Sequence, residues 1–289
     1  MFSKEGKRLK RIGFIGTGSM GKIIIDSFLE AHAMPPANVT ITNRSLHKAH
    51  EVASRHKGVT VVEDAQSVIE QSDWIFLCVR PLQMIPLLEE VDHILTKDKT
   101  LISITSPILV EELEEIISSH VVRFIPSIVN RGHEGPSLVT FGKTMSEEMK
   151  EEFLTFFQFI SRPEVIEDRI TRVASDIGCC GPAFLSFLVE NIIQAAVDET
   201  NISKQEATNI MESMLIGYGE LLKQKHFTLE TLRERVTVPG GVTGVGLEAL
   251  KEGISTKKVF HQLFQKTHEK FDEDRFLVQK QLTIQEKEQ

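Results

Sequence analysis

The stretch IGFIGTGSMG, residues 12–21, decides how the first half of the chain folds. It joins a short apolar run to a G-x-G-x-x-G pattern made by Gly16, Gly18 and Gly21. After a strand and before a helix, such glycines permit a tight turn, close approach of a pyrophosphate and close helix–strand packing. An ordinary glycine-rich turn is the alternative interpretation. We predict cofactor contacts from the whole turn, Gly16, Thr17, Gly18, Ser19, Met20 and Gly21.

Strand-like runs alternate with amphipathic stretches through the first half of the chain. The runs are RIGFIG (11–16), VTITN (39–43), WIFLCV (74–79), TLISI (100–104), VVRFI (121–125) and SLVTF (137–141), and the helix-like stretches are 21–31, 45–57, 82–96, 108–119 and 147–160. This alternation predicts βαβ units and a parallel sheet covered by helices on both faces.

The pattern changes after the first half, and no convincing strand follows Pro182. Apolar residues there recur at three- and four-residue steps, which is typical of amphipathic helices. We therefore predict an α/β Rossmann-type domain over residues 1–166, followed by an all-α dimerisation domain over residues 167–289. The polar end, 276–289, is predicted to fray.

Composition and charge argue against a nucleic-acid-binding, secreted or membrane-spanning protein. The 289 residues are 41% hydrophobic and 26% charged, with a net charge of −8 that argues against a nucleic-acid partner. The basic segment 4–11 lacks the apolar core of a signal peptide, and no apolar run approaches the roughly 20 residues that cross a bilayer. The three cysteines form neither a disulfide framework nor a metal site. We expect a cytoplasmic protein without membrane, nucleic-acid or metal binding.

The second strand indicates which dinucleotide is bound. An NAD-binding unit usually carries an acidic residue about 20 residues after the glycines, for the ribose hydroxyls. Here no acid occurs between Glu30 and Glu51, and the strand ends in TNRSLHK, residues 42–48. We predict that Asn43, Arg44 and Ser45, with Lys48, bind a 2′-phosphate and select NADP(H). In the alternative, Arg44 and Lys48 only begin a solvated helix.

A second glycine-rich stretch, TVPGGVTGVG at residues 237–246, interrupts the helical half. Clustered backbone N–H groups ahead of the helix-like LEALKEG, residues 247–253, predict an anion nest suited to one carboxylate. Thr243 supplies a hydroxyl there. The alternative is a helix–helix turn with Thr243 as the N-cap.

Four blocks resemble the pyrroline-5-carboxylate reductase family along nearly the whole chain. They are VRP (79–81), VVRFIPSIV (121–129), CCGPAFLSFLVE (179–190) and VPGGVT (238–243). The resemblance implies NADPH-dependent reduction of a cyclic imine, 1-pyrroline-5-carboxylate, to L-proline, and thus a role in proline biosynthesis. It also implies a helical domain that intertwines with a second subunit, giving a homodimer or an assembly of dimers.

The resemblance carries site residues with it. It implies that Gly240, Gly241 and Thr243 bind the substrate carboxylate, with Thr243 also orienting the imine nitrogen as the catalytic residue. Gly181 and Pro182 join the substrate site, and Val79, Arg80 and Pro81 join the cofactor site.

Departures from the family pattern lie in the substrate half of the chain. Val238 and Val242 replace a serine and a threonine, Cys180 replaces a serine, Ser127 replaces an asparagine, and TSP at 105–107 replaces A-G. The sequence looks like the divergent late-competence (ComER-like) branch. Two alternatives follow: a cofactor-binding regulatory or scaffold paralogue with little or no turnover, and a reductase of a different, more apolar imine.

Other residues have simpler interpretations. His47 and His50 lie three apart on one predicted helix, and a solvated face is favoured over a metal site because no third ligand is in view. The adjacent Cys179 and Cys180 are interpreted as small buried residues, with a strained vicinal disulfide as the alternative.

Overall fold

A computed structural model describes residues 9–253 and 256–285, and these form two compact units. The first unit falls within Met1–Pro182 and Thr267–Gln289, and the second is Ala183–Lys266. The α/β fold of the first part and the all-helical second part are confirmed. The domain boundary at residue 166 stays a prediction.

An eight-stranded sheet lies at the centre of the first unit. Its order is β3-β2-β1-β4-β5-β6-β7-β8, and every neighbouring pair is parallel except β6 and β7. The strands are β1 Ile12–Ile15, β2 Val39–Thr42, β3 Thr60–Val61, β4 Trp74–Leu77, β5 Thr100–Ser103, β6 His120–Ile125, β7 Pro136–Phe141 and β8 Arg162–Val165. All six predicted strands are present, whereas the edge strands β3 and β8 were not predicted.

Helices cover both faces of the sheet and then make up the second unit. They are α1 Ser19–Glu30, α2 Leu46–Arg55, α3 Ala65–Glu70, α4 Pro81–Val91, α5 Val110–Ile116, α6 Glu147–Phe157, α7 Thr171–Ser175, α8 Gly181–Glu199, α9 Lys204–Lys223, α10 Leu229–Val236, α11 Val242–Gly253 and α12 Thr256–Gln285. A π-helical turn, Asp176–Cys180, connects α7 to α8.

Alternate residues of each strand point to opposite sides of the sheet, and helices cover both sides, so that both faces of the sheet are buried. Phe14 and Phe76 stack at 4.7 Å between ring centroids within an aromatic-rich cluster on one face. Their neighbours Ile15 and Leu77 belong to an aliphatic cluster on the other face. Strands β1 and β4 at the centre therefore read as continuous apolar runs, as expected for a parallel sheet.

Helices of the second unit leave many apolar side chains exposed. Ile193 and Ala207 are buried, whereas Phe187, Ile192, Ile210 and Ile216 are among the large apolar residues that face solvent. Exposed apolar surface of this extent usually marks an interaction site.

One helical run conflicts with the expectation about membrane spans. Asp168–Glu199 is long and apolar enough to cross a membrane by length and composition, and 6% of its apolar window is buried. The prediction that no apolar run is long enough to span a bilayer is therefore wrong by length and composition. Length and composition do not separate such a span from a helix whose apolar face packs against another protein surface.

The end of the chain does not fray where the structure describes it. Helix α12 continues to Gln285, and its Val278 is fully buried in the aliphatic cluster of the first unit. The predicted fraying is thus wrong up to residue 285, and residues 286–289 lie outside the described part. The basic segment considered for a signal peptide also lies outside it as far as residue 8.

Candidate cofactor site and substrate loop

Three helices begin at the same edge of the sheet, where β1, β2 and β4 end. Helices α1, α2 and α4 start there, and none of the three has a side-chain hydrogen bond at its N-cap. The strand order reverses between β1 and β4, and ligands of open α/β sheets bind at such a point. Helix N-termini without caps also favour anions.

A cleft of about 500 Å³ opens at this edge. Its walls include many predicted cofactor residues, namely Gly16, Gly18, Asn43, Arg44, Ser45, Val79 and Arg80. The remaining ones lie beside it: Thr17 is buried in the turn, Ser19, Met20 and Gly21 form the first turn of α1, and Pro81 begins α4. The structure thus brings the predicted cofactor residues to one place.

Two of the three glycines of the first turn leave no room for a side chain, and the third faces open space. Gly16 has a φ of +104°, and a Cβ there would lie 2.5 Å from the Cys78 carbonyl oxygen. A Cβ on Gly21 would lie 2.3 Å from the Gly16 carbonyl oxygen. A Cβ on Gly18 would meet nothing within 4 Å, so open space lies over the start of α1. The turn therefore fits a phosphate group.

Asn43 connects the turn after β1 to the turn after β2. Its Oδ1 accepts a hydrogen bond from the Thr17 backbone N–H at 3.0 Å, and its Nδ2 donates to the Ser45 carbonyl oxygen at 3.1 Å. Asn43 therefore fixes the geometry of the cleft as well as lining it. The Thr17 hydroxyl beneath is buried without a hydrogen-bond partner among the described residues.

Two exposed cations and two carboxylates share the outer end of the cleft. Arg44 and Lys48 form no ion pair within the described part of the chain. Asp64 caps α3 by accepting the Ser67 N–H at 2.7 Å, and this backbone hydrogen bond lowers the pKa of Asp64. Glu63 lines the same wall. Neither acid was predicted, because both follow β3, a two-residue strand without a periodic pattern, and only its pairing with β2 brings them to the cleft.

The substrate loop folds as a tight turn that leads into a helix. The Gly241 N–H donates to the Val238 carbonyl oxygen at 3.0 Å, with Pro239 and Gly240 at the corners. Gly240 has a φ of +74°, which favours glycine at the third position of such a turn. Because its N–H is used in the turn, Gly241 has no backbone donor left for a ligand.

Helix α11 starts five residues earlier than predicted. It begins at Val242 and includes Gly244 and Gly246, where the sequence predicted LEALKEG alone. Thr243 is consequently the second helical residue, not the N-cap, and it is exposed. The N–H groups of Val242 and Thr243 have no acceptor within the helix. Gly181 and Pro182 begin α8 in the first unit, and their grouping with the loop of the second unit stays a prediction.

Ser127, which stands where the family has asparagine, forms a hydrogen bond to the π-helical turn before α8. Its hydroxyl donates to the Gly178 carbonyl oxygen at 2.7 Å, and both residues are buried. A Cβ on Gly178 would lie 3.1 Å from Pro136, so the turn is tightly packed there. The departure at Ser127 therefore supports the backbone that carries the CCGPA block.

The cysteines are free thiols in the structure. Burial, with a smaller contribution from neighbouring Cys180, raises the pKa of Cys179 to about 11, so this thiol is protonated near pH 7 and is a weak nucleophile. His47 and His50 are both exposed on α2. Within the described residues, no group of three or more His, Cys, Asp or Glu is placed to hold a metal ion.

Comparisons with known proteins agree with this geometry. The chain is 47% identical over 274 residues to ComE operon protein 4 of Bacillus subtilis, covering 95% of this chain and 100% of that protein. It is 26% identical to pyrroline-5-carboxylate reductase 3 of the same organism, over 91% and 96% of the two chains. A pyrroline-5-carboxylate reductase structure from Coxiella burnetii matches with a TM-score of 0.83 at 23% identity, over 92% and 99%.

The fold and the cleft define a dinucleotide-dependent oxidoreductase of the Rossmann type. Residues 11–107 match the family model described as NADP oxidoreductase coenzyme F420-dependent, and residues 168–274 match the pyrroline-5-carboxylate reductase dimerisation model. The chain belongs to the pyrroline-5-carboxylate reductase family, and its similarity to ComE operon protein 4 agrees with a divergent branch. The predicted cofactor, NADP(H), is confirmed by the first of these matches.

Proposed function

We propose that the protein uses NADPH to reduce a cyclic imine, most simply 1-pyrroline-5-carboxylate to L-proline. The observation that carries the proposal is the Val238–Gly241 turn, which presents the N-terminus of α11 and the Thr243 hydroxyl to solvent in a family of imine-reducing relatives. An exposed helix N-terminus suits a carboxylate, and proline-type substrates carry one.

The chain's own residues bind and orient the reactants. The N-terminus of α1 and the open space over Gly18 receive the pyrophosphate, while Arg44 and Lys48 pair with the 2′-phosphate. The bound NADPH supplies the hydride. The N–H groups of Val242 and Thr243 hold the carboxylate, and the Thr243 hydroxyl orients the imine nitrogen. No strong general acid is required if the substrate arrives as an iminium.

The choice between the two dinucleotides gives a first test. Arg44→Ala is expected to weaken NADPH binding about tenfold, the loss typical of one charge-assisted hydrogen bond, and to leave NADH binding unchanged. Fluorescence titration of both cofactors measures this. Lys57→Ala is the matched control, since Lys57 is an exposed cation beyond the end of α2 that does not line the cleft. Equal losses for both cofactors would contradict a role in 2′-phosphate recognition.

Turnover tests the reaction itself. Thr243→Ala is expected to lower kcat/KM for NADPH oxidation with 1-pyrroline-5-carboxylate by about 10–100-fold, because an oriented hydrogen bond is lost, with NADPH affinity unchanged. Thr237→Ala is the control: that hydroxyl already donates to the Arg233 carbonyl oxygen at 2.7 Å. Wild-type turnover in the Thr243 variant would remove this residue from the mechanism.

A regulatory or scaffold paralogue is the second candidate. Val238 and Val242 place exposed apolar side chains on the substrate loop where the family has hydroxyls, and the 47% identical relative is named for an operon, not for a reaction. Tight NADPH binding without oxidation of 1-pyrroline-5-carboxylate or of more apolar cyclic imines would favour this candidate. Any competence role belongs to the same alternative.

We further infer a cytoplasmic homodimer that binds neither nucleic acid nor membrane, with higher assembly of dimers as an extension. The match of residues 168–274 to a dimerisation model and the exposed apolar residues of α8 and α9 support the dimer. The net charge of −8 supports the absence of a nucleic-acid partner.

A further inference from the structure

The last helix, α12, holds the loop that follows β5. Arg275 Nη1 donates to the Pro107 carbonyl oxygen at 2.9 Å and to Glu112 Oε2 at 2.6 Å. The same Glu112 oxygen accepts the Leu109 N–H at 2.8 Å. The side chains of Arg275 and Glu112 are each 16% exposed, so these hydrogen bonds form largely out of water. Charge-assisted hydrogen bonds in such surroundings are strong.

Two more residues of α12 reach the same side of the sheet. Val278 is fully buried in the aliphatic cluster that contains Ile15 and partly buried Val79, and both of these line the cofactor cleft. Gln281 Nε2 donates to the Leu82 carbonyl oxygen at 3.3 Å, in the first turn of α4. We call Arg275, Val278 and Gln281 the C-terminal clamp.

The C-terminal clamp contacts the loop after β5 and the start of α4, which lie on the β4–β5 side of the cleft. Strand β5 is parallel to β4, so the loop of residues 104–109 leaves the sheet at the same edge as the Gly16–Gly18 turn and Arg80. Arg44 and Lys48 mark the opposite, β2 side as the place of the 2′-phosphate. A dinucleotide that crosses the switch point from β2 places its nicotinamide on the side of β4 and β5.

We propose that Arg275 is a positioning residue that fixes the 104–109 loop against the nicotinamide half of NADP(H), while Gln281 holds the start of α4 beside it. The loop is where this chain has Thr105-Ser106-Pro107, and its Pro107 carbonyl oxygen is the acceptor for Arg275. The proposal rests on the cofactor orientation of the proposed function, not on the identity of the imine.

Two ligands separate this role from a general effect on stability. Arg275→Met is expected to weaken NADPH binding about tenfold, as when one largely buried charge-assisted contact is lost, and to leave adenosine 2′,5′-bisphosphate within about twofold of wild type. The second ligand carries the 2′-phosphate but no nicotinamide. Lys270→Met is the matched control, because Lys270 lies on the same helix and pairs with Glu273 and Asp274. Both affinities should be unchanged in it.

Two further variants keep the test decisive if Arg275→Met does not fold. Arg275→Lys keeps one donor toward Glu112 and is expected to recover part of the NADPH affinity, and Gln281→Ala is expected to show a smaller selective loss. Equal weakening of both ligands, or unchanged NADPH binding in folded variants, would overturn the proposal. Neither result depends on turnover, so a protein that does not reduce 1-pyrroline-5-carboxylate still tests the clamp.

Discussion

Replacing Arg123 with methionine is expected to lower the free energy of unfolding by about 3–5 kcal/mol, because a fully buried guanidinium, its ion pair with partly exposed Asp168 and its hydrogen bonds to two threonine hydroxyls are lost together. The Arg123 side chain is 1% exposed. Its Nη2 pairs with Asp168 and donates to the Thr171 and Thr140 hydroxyls at 2.6 and 3.0 Å. Burial lowers the pKa of Arg123, and the carboxylate of Asp168 opposes that shift. The guanidinium therefore joins β6 and β7 to the segment that leads into α7.

Urea unfolding followed by the fluorescence of Trp74, the single tryptophan and a buried one, measures this loss. The control is Arg131→Met, whose pair with Glu30 is 45% and 42% exposed and is expected to contribute less than about 1 kcal/mol. The double variant Arg123→Met/Asp168→Leu should recover part of the loss, since no charge is left unpaired. If both single variants unfolded alike, Arg123 would not be the connection we describe.

Adding one methyl group at Gly18 is expected to weaken NADPH binding about 10–100-fold, equivalent to about 1.4–2.7 kcal/mol, without changing the stability of the free protein. The φ of Gly18 is −71°, which alanine adopts freely, and a Cβ there meets nothing within 4 Å. The methyl group would instead project into the space over the N-terminus of α1. A phosphate held by backbone N–H groups needs that space.

Gly21→Ala is the informative partner of Gly18→Ala. Its Cβ would lie 2.3 Å from the Gly16 carbonyl oxygen, so the cost is expected in the free energy of unfolding even without cofactor. Fluorescence titration with NADPH and urea unfolding, applied to both variants, separate the two roles. Wild-type NADPH affinity in Gly18→Ala would mean that the pyrophosphate does not cross this turn.

The inner strands were predictable from the sequence because their signal is local. WIFLCV at β4 is apolar on both faces, the other predicted runs are rich in strand-favouring residues, and the glycines of the first turn form a pattern within a single βα unit. The edge strands β3 and β8 were missed. The first has two residues and the second is RPEV, so neither carries a periodic apolar pattern.

The candidate site was predictable only in part, because some of its residues follow local patterns and others reach the cleft through contacts between distant segments. Asn43, Arg44 and Ser45 follow a strand directly, and the structure places them in the cleft as expected. Glu63 and Asp64 reach that cleft because β3 pairs with β2, a contact that no local pattern records. The early start of α11 was missed because two glycines lower helix propensity, whereas the turn at Val238–Gly241 starts the helix at Val242.

The sequence by itself determined the dinucleotide fold, the NADP(H) cofactor and the family, since these depend on short motifs whose backbone geometry is set by neighbouring residues. Only the tertiary structure decided that α12 returns to the first unit. That helix has a mainly polar sequence, and its hydrogen bonds to the 104–109 loop, α5 and α4 join residues 163 to 199 positions apart, from Arg275 with Glu112 to Gln281 with Leu82. Such contacts form because the folded chain brings the 104–109 loop, α5 and α4 beside α12, and no local periodicity encodes them.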